Sequence, residues 1–153
     1  MSRQTEAPEI LSAPHVLEYP YRRSLGPVLS RFFTALRDRK LLGVETQAGR
    51  VLCPPAEADP ETGAAVSDRF VEVGPGGVIE SWTWVAKPRE KQPLAGPFAY
   101  ALIRLDGADT ALLHAVDADP ARLRTGARVQ PRWRAETIGE IGDIECFELE
   151  TSR

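Results

Sequence analysis

Gly77-Val78-Ile79-Glu80-Ser81-Trp82-Thr83-Trp84-Val85 reads as one long β-strand. β-Branched and aromatic residues dominate it, and these fit a pleated, half-buried surface. With a period of two, Val78, Trp82 and Trp84 fall on one face, and Ile79, Ser81, Thr83 and Val85 on the other. Gly74-Pro75-Gly76-Gly77 is a turn signal that separates this strand from a shorter alternating stretch at 70–73. Downstream, a loop rich in Pro and charge at 86–97 leads to Phe98-Ala99-Tyr100-Ala101-Leu102-Ile103-Arg104-Leu105. A tight turn at Asp106-Gly107-Ala108-Asp109 then opens a strand over 110–116. Residues 119–123 read as one helical turn, and strands at 127–135 and 144–149 close the series around the glycine-bearing loop 137–143.

Five substantial strands therefore follow the leading one, with a helical turn between the third and the fourth. A small closed Greek-key barrel of the OB type uses this order. An open sandwich is the alternative, but strand count and chain length favour the barrel.

Working outward, residues 25–40 read as a helix. Ser24 is positioned to cap it, Pro27 sits in its first turn, and Gly43 is a stop signal. Val28, Leu29, Phe32, Phe33 and Leu36 form its apolar face. The stretch 41–65 is rich in Pro and Gly, with a short hairpin expected from Val44 and Val51-Leu52 around Ala48-Gly49. Two turn-like runs, 45–50 and 59–63, are spaced like paired metal-binding knuckles. The four ligand positions, however, hold Glu45, Ala48, Asp59 and Thr62. Structural zinc needs four Cys or His ligands, so no zinc is expected.

Whole-chain properties narrow the function classes. The 153 residues carry a net charge of -3, with 42% hydrophobic and 27% charged residues. That composition suits a folded soluble protein, and the charge opposes bulk attraction to nucleic acid or an acidic membrane. No apolar run reaches the roughly 20 residues of a membrane span. The start of the chain lacks a signal-peptide core, so a cytoplasmic location without membrane association is expected. Cys53 and Cys146 read as two reduced thiols in or near the core.

Three stretches, in this order, resemble a known family: the helix ending in Arg39-Lys40-Leu41-Leu42-Gly43, the knuckle-like pair around Pro54-Pro55, and the strand 77–85. Pro97-Phe98-Ala99-Tyr100 through Asp106, and Asp119-Pro120 leading to Gly126-Ala127-Arg128-Val129, fit as well. Together they resemble the family that joins a rubredoxin-like zinc ribbon to an OB-fold associated with acyl-CoA, known as domain of unknown function 35. The chain departs from it at the four ligand positions, so the resemblance is to a branch without the zinc cysteines. It implies a mainly β chain: a polar arm over 1–23, a helix with a degenerate, metal-free ribbon over 24–65, and a five-stranded OB barrel over 66–153. By the same resemblance the chain is a non-catalytic accessory subunit in a hetero-oligomer. Its partner would be a thiolase-like enzyme, such as a lipid-transfer-type thiolase, aldolase or acyltransferase in steroid or fatty-acid degradation. The resemblance further implies that no cofactor is bound tightly and that coenzyme A or acyl-CoA is shared with the partner.

No catalytic set can be assembled from the residues. His15 and His114 stand apart, Cys53 has no base near it in sequence, and no nucleophile elbow, phosphate loop or dinucleotide fingerprint occurs. The acid pair Glu140 and Asp143 reads as solvated loop. Lys87, Arg89 and Lys91 crowd one loop and are the candidate contacts for coenzyme A phosphates. Arg122, Arg124, Arg128, Arg132 and Arg134 form a second basic cluster around Trp133. The competing reading of both is a surface balancing 22 acidic residues. Leu29, Phe32, Phe33 and Leu36 on the helix, with Trp82 and Trp84 on the strand, are the candidate interface anchors. Trp133 among arginines also admits a single-stranded nucleic-acid-binding barrel as the alternative function.

Overall fold

The computed structural model describes residues 12–20, 22 and 24–151. Of the arm expected over 1–23, the rest lies outside the described residues. Residues 12–20 are exposed and have no regular structure.

Helix α1 (Gly26–Arg37) contains the whole apolar face but is shorter than the expected 25–40, chiefly at its end. Leu25 occupies the N-cap position and no side chain caps it, so Ser24 does not play that part. At the other end Arg39 enters the left-handed region at φ 56°. The Lys40 and Arg39 N–H groups then donate to the Ala35 and Leu36 carbonyls at 3.1 and 2.9 Å. This closes the helix in a Schellman-type turn, four residues before the glycine expected to end it. Gly43 lies instead inside strand β1 (Leu41–Glu45), where an added Cβ would sit 2.5 Å from Val51.

Strand β1 is the centre of a three-stranded antiparallel sheet, flanked by β2 (Val51–Leu52) and β3 (Phe70–Val73). The leading strand thus pairs with the ribbon, not with the barrel, and the sheet runs across the boundary expected at residues 65 and 66. The remaining strands, β4 (Gly77–Val85), β5 (Phe98–Leu105), β6 (Ala111–Asp117), β7 (Arg128–Trp133) and β8 (Ile144–Leu149), close in the order β4-β5-β6-β8-β7. Strands β6 and β8 run parallel. A 3-10 turn, Pro120–Arg122, joins β6 to β7, with the Asp119 carboxylate accepting the Ala121 N–H at 2.9 Å. This is the OB arrangement.

A bulge in β4 corrects the face assignment of the tryptophans. Ile79 pairs with Ile103, but the next pair is Ser81 with Leu102, leaving Glu80 as an extra residue. Past the bulge Trp82 lies opposite Ala101 and Trp84 opposite Ala99. Both alanines belong to the core side of β5. Trp82 and Trp84 therefore share the face of Ile79, while Val78 pairs with Arg104 on the other.

One core runs through both parts. Phe32, Leu36, Leu41, Cys53 and Val73 pack in the same cluster as Ile79, Ile103, Val116, Val129 and Phe147. The knuckle-like segment is held by hydrogen bonds. Val51 N–H reaches the Asp109 carboxylate at 2.8 Å, and the Thr110 hydroxyl both accepts from Cys53 N–H and donates to its carbonyl. These bonds stitch β2 to the β5–β6 turn. At the ligand positions, Glu45 pairs with Arg69 at 3.1 Å, and buried Asp59 accepts the Glu61 N–H at 2.9 Å. Ala48 and Thr62 are exposed.

Candidate docking face and ligand clefts

OB barrels commonly take ligands on the face of their second and third strands, between the loops joining strands one to two and four to five. Here those are β5 and β6, with the loops 86–97 and 134–143.

The second loop is built to a fixed shape. Asp143 is buried and accepts N–H groups from Ile138, Gly139 and Glu140 at 2.9, 2.7 and 3.2 Å. Burial disfavours its charge, but these donors outweigh that and hold its carboxyl below the usual range. Asp143 is thus a buried anchor, not the solvated acid its loop context implied. The α1 end adds three more ties: Arg37 Nε to the Ile138 carbonyl at 3.0 Å, and Arg39 to the Arg134 and Ala135 carbonyls, each at 3.2 Å.

On β5 and β6 the outward face is apolar. Leu102 and Leu113 lie directly opposite each other and are 41% and 60% exposed. Beside them Leu94, from the first loop, packs over a small cluster of Phe98, Ala115 and Cys146. Between the two loops is a cleft of about 640 Å³, with Pro93, Trp133 and Ile138 on its wall beside Glu136, Glu140 and Glu145.

The residues singled out from sequence separate. Lys87, Arg89 and Lys91 are exposed on the first loop and do not line this cleft. Phe32 and Leu36, expected at an interface, are buried in the chain's own core, while Leu29 and Phe33 are half-buried. Trp84 is half-buried against the core, and Trp82 is 37% exposed.

The arginine cluster around Trp133 is not one patch. Arg132 is surrounded by Asp117, Glu145 and Glu148. Arg128 is held bidentate by Asp106 at 2.6 Å and by Glu150. Arg134 faces Glu140 at 4.0 Å. Arg122 and Arg124 line a different cleft. The carboxylate partners of Arg128 and Arg132 lie on or beside other strands, so no sequence window could have revealed their pairing.

Groups that could do chemistry are buried. Burial pushes the Cys53 thiol up to about 12 and the Cys146 thiol to about 11, so neither is a nucleophile at neutral pH. His114 is buried edge-on to Phe147, and its Nδ1 has no partner. Burial lowers its pKa, opposed by backbone groups of Ile141 and Ala115. Among the described residues no cluster of His, Cys, Asp and Glu could hold a metal ion.

Residues 70–134, from β3 to the end of β7, match the family described as ChsH2, C-terminal OB-fold domain. Two solved structures share the fold. A protein of unknown function from the DUF35 family of Sulfolobus solfataricus is 24% identical, with a TM-score of 0.57 over 70% of this chain and 77% of that one. The Ltp2-ChsH2(DUF35) aldolase is 20% identical, with a TM-score of 0.59 over 84% of this chain and 98% of that one. No curated protein matches the sequence.

Proposed function

We propose that this chain, an OB-fold member of the DUF35 family, is a partner subunit of a thiolase-like acyl-CoA enzyme and performs no chemistry alone. The observation that carries this reading is the match of residues 70–134 to the ChsH2 OB-fold domain. The fold it shares with the DUF35 chain of an aldolase complex agrees. Two features of the molecule support it. Exposed Leu102 and Leu113 stand on the face where OB barrels receive ligands, and paired leucines suit a protein surface better than a polyanion. The thiols and the histidine are buried in positions that suit packing.

The nucleic-acid reading has less support, because Arg128 and Arg132 are engaged by carboxylates and Trp133 is half-buried. Coenzyme A, if it reaches this chain, would meet the exposed Lys87, Arg89 and Lys91 of the first loop. Steroid or fatty-acid degradation is the setting the family resemblance suggests. No helix among the described residues is long and apolar enough to cross a membrane.

Co-expression with thiolase-like enzymes of the same genome tests the proposal. A stable complex, and a partner that is insoluble or inactive alone, are the expected results. A partner fully active and stable without this chain overturns it.

A further inference from the structure

At the far side of the barrel from the two loops, a cleft of about 800 Å³ opens between the β6–β7 connection, the start of β7 and the end of β8. Its volume falls within the roughly 300–1,000 Å³ of small-molecule sites. The polar groups on its wall are mainly cationic, with Arg122, Arg124 and Arg128 against one carboxylate. Arg122 and Arg124 supply guanidinium groups, Gln130 an amide and Thr151 a hydroxyl. The single lining carboxylate, Glu150, is engaged by Arg128 at 3.2 Å. Among the described residues the ion pairs of this region belong to Arg128 and Arg132, and Arg122 and Arg124 are exposed. The remaining wall is apolar, from Ala127 and Leu149.

We propose that this cleft binds a phosphorylated small molecule of nucleotide size. Two guanidinium forks that make no ion pair among the described residues match phosphate oxygens, which accept several hydrogen bonds at once. Bare phosphate would leave most of the volume empty. The apolar wall and the Gln130 amide suit a heterocycle, one by contact and the other by hydrogen bonding to its edge. A continuous polyanion fits less well, because Asp106 and Glu150 stand at one rim around Arg128. This inference is independent of the partner reading, since it concerns the isolated chain; its failure would leave that reading intact.

Calorimetric titration of the purified full chain at low salt tests it, with ADP, pyrophosphate and an oligothymidylate as probes. ADP should bind more tightly than pyrophosphate, and both more tightly than the oligonucleotide per site. Arg122→Ala and Arg124→Ala should each weaken ADP by about tenfold, with an unchanged circular dichroism melt because both side chains are exposed. Gln130→Ala should weaken ADP and leave pyrophosphate unaffected. No heat with ADP or pyrophosphate at millimolar concentration, binding indifferent to both arginine variants, or preference for the oligonucleotide would each overturn the proposal.

Discussion

The Arg37 guanidinium donates Nε–H to the Ile138 carbonyl at 3.0 Å, fastening the last turn of α1 to the loop between β7 and β8. Thr137 returns a bond from its hydroxyl to the Arg37 carbonyl at 2.7 Å. Gly139 then passes so close that an added Cβ would lie 2.8 Å from Arg37 Nε and 3.0 Å from the Phe33 carbonyl, at a φ of +92°. Helix and loop form one unit although 101 residues separate the bonded pair. Gly139→Ala must strain the backbone and push the helix away. It should cost about 2 kcal/mol, read as a lower urea midpoint with the slope unchanged.

Asp143 makes the same loop sensitive to acid. Its burial raises its pKa, but three backbone donors lower it further, so the folded carboxyl titrates below 3.8. A depressed carboxyl stabilises the fold above its unfolded pKa and ceases to do so as pH falls through the folded value. Asp143→Ala leaves three N–H groups without their acceptor and should cost about 2 kcal/mol at pH 7. The difference from wild type should shrink below pH 4. Urea unfolding of both proteins at pH 7 and near pH 3 measures it, and a gap that is constant with pH would contradict it.

These two residues mark where sequence reading stops. The strand order was legible because alternation and turn chemistry are local, and the five barrel strands fall where β4 to β8 do. The Glu80 bulge was not, since an extra residue inside a strand leaves the apolar pattern intact while turning Trp82 and Trp84 to the other face. Nor could α1's end be read, because Arg39 adopts a conformation usually left to glycine. The engagement of Arg128 and Arg132 by carboxylates depends on barrel closure, which charge counting along the chain does not express.

Leu102 and Leu113 give the sharpest test of the docking face. Both are exposed on adjacent strands, so replacing them removes little buried surface within this chain. Leu102→Ser with Leu113→Ser should leave the melting temperature nearly unchanged. The same double change should weaken the partner complex by tenfold or more, as expected for paired apolar anchors. Gel filtration of the co-expressed pair reports it. An intact complex would remove these leucines from the interface.

Cys53 and Cys146 are both buried, and burial lifts their thiols to about 12 and about 11. A thiol reagent at pH 8 should therefore react with neither in the folded chain, and with both in urea. The linkage has a definite sign. Thiols whose folded pKa is raised contribute stability below the unfolded value of about 9, and that stability is lost as pH rises toward 11 and beyond. Rapid labelling of the folded protein would show that the core opens at one of these sites.

His114 acts in the opposite pH direction to the thiols. It lies opposite Ala101 in the β5–β6 pairing and edge-on to Phe147. Burial lowers its pKa below 6.5, although backbone groups of Ile141 and Ala115 act against that. The folded chain therefore holds the imidazole neutral while the unfolded chain takes a proton as pH drops below 6.5. Stability should be complete above that value and decline beneath it, by up to about 1.4 kcal/mol per pH unit until the folded pKa is reached. His114→Phe removes both the titration and the unpartnered Nδ1, so its stability between pH 7.5 and 5 should change less than that of wild type. Urea unfolding at several pH values compares the two slopes. Equal slopes would mean that the imidazole is protonated as readily inside the barrel as in water, and that its burial in the fold is only apparent.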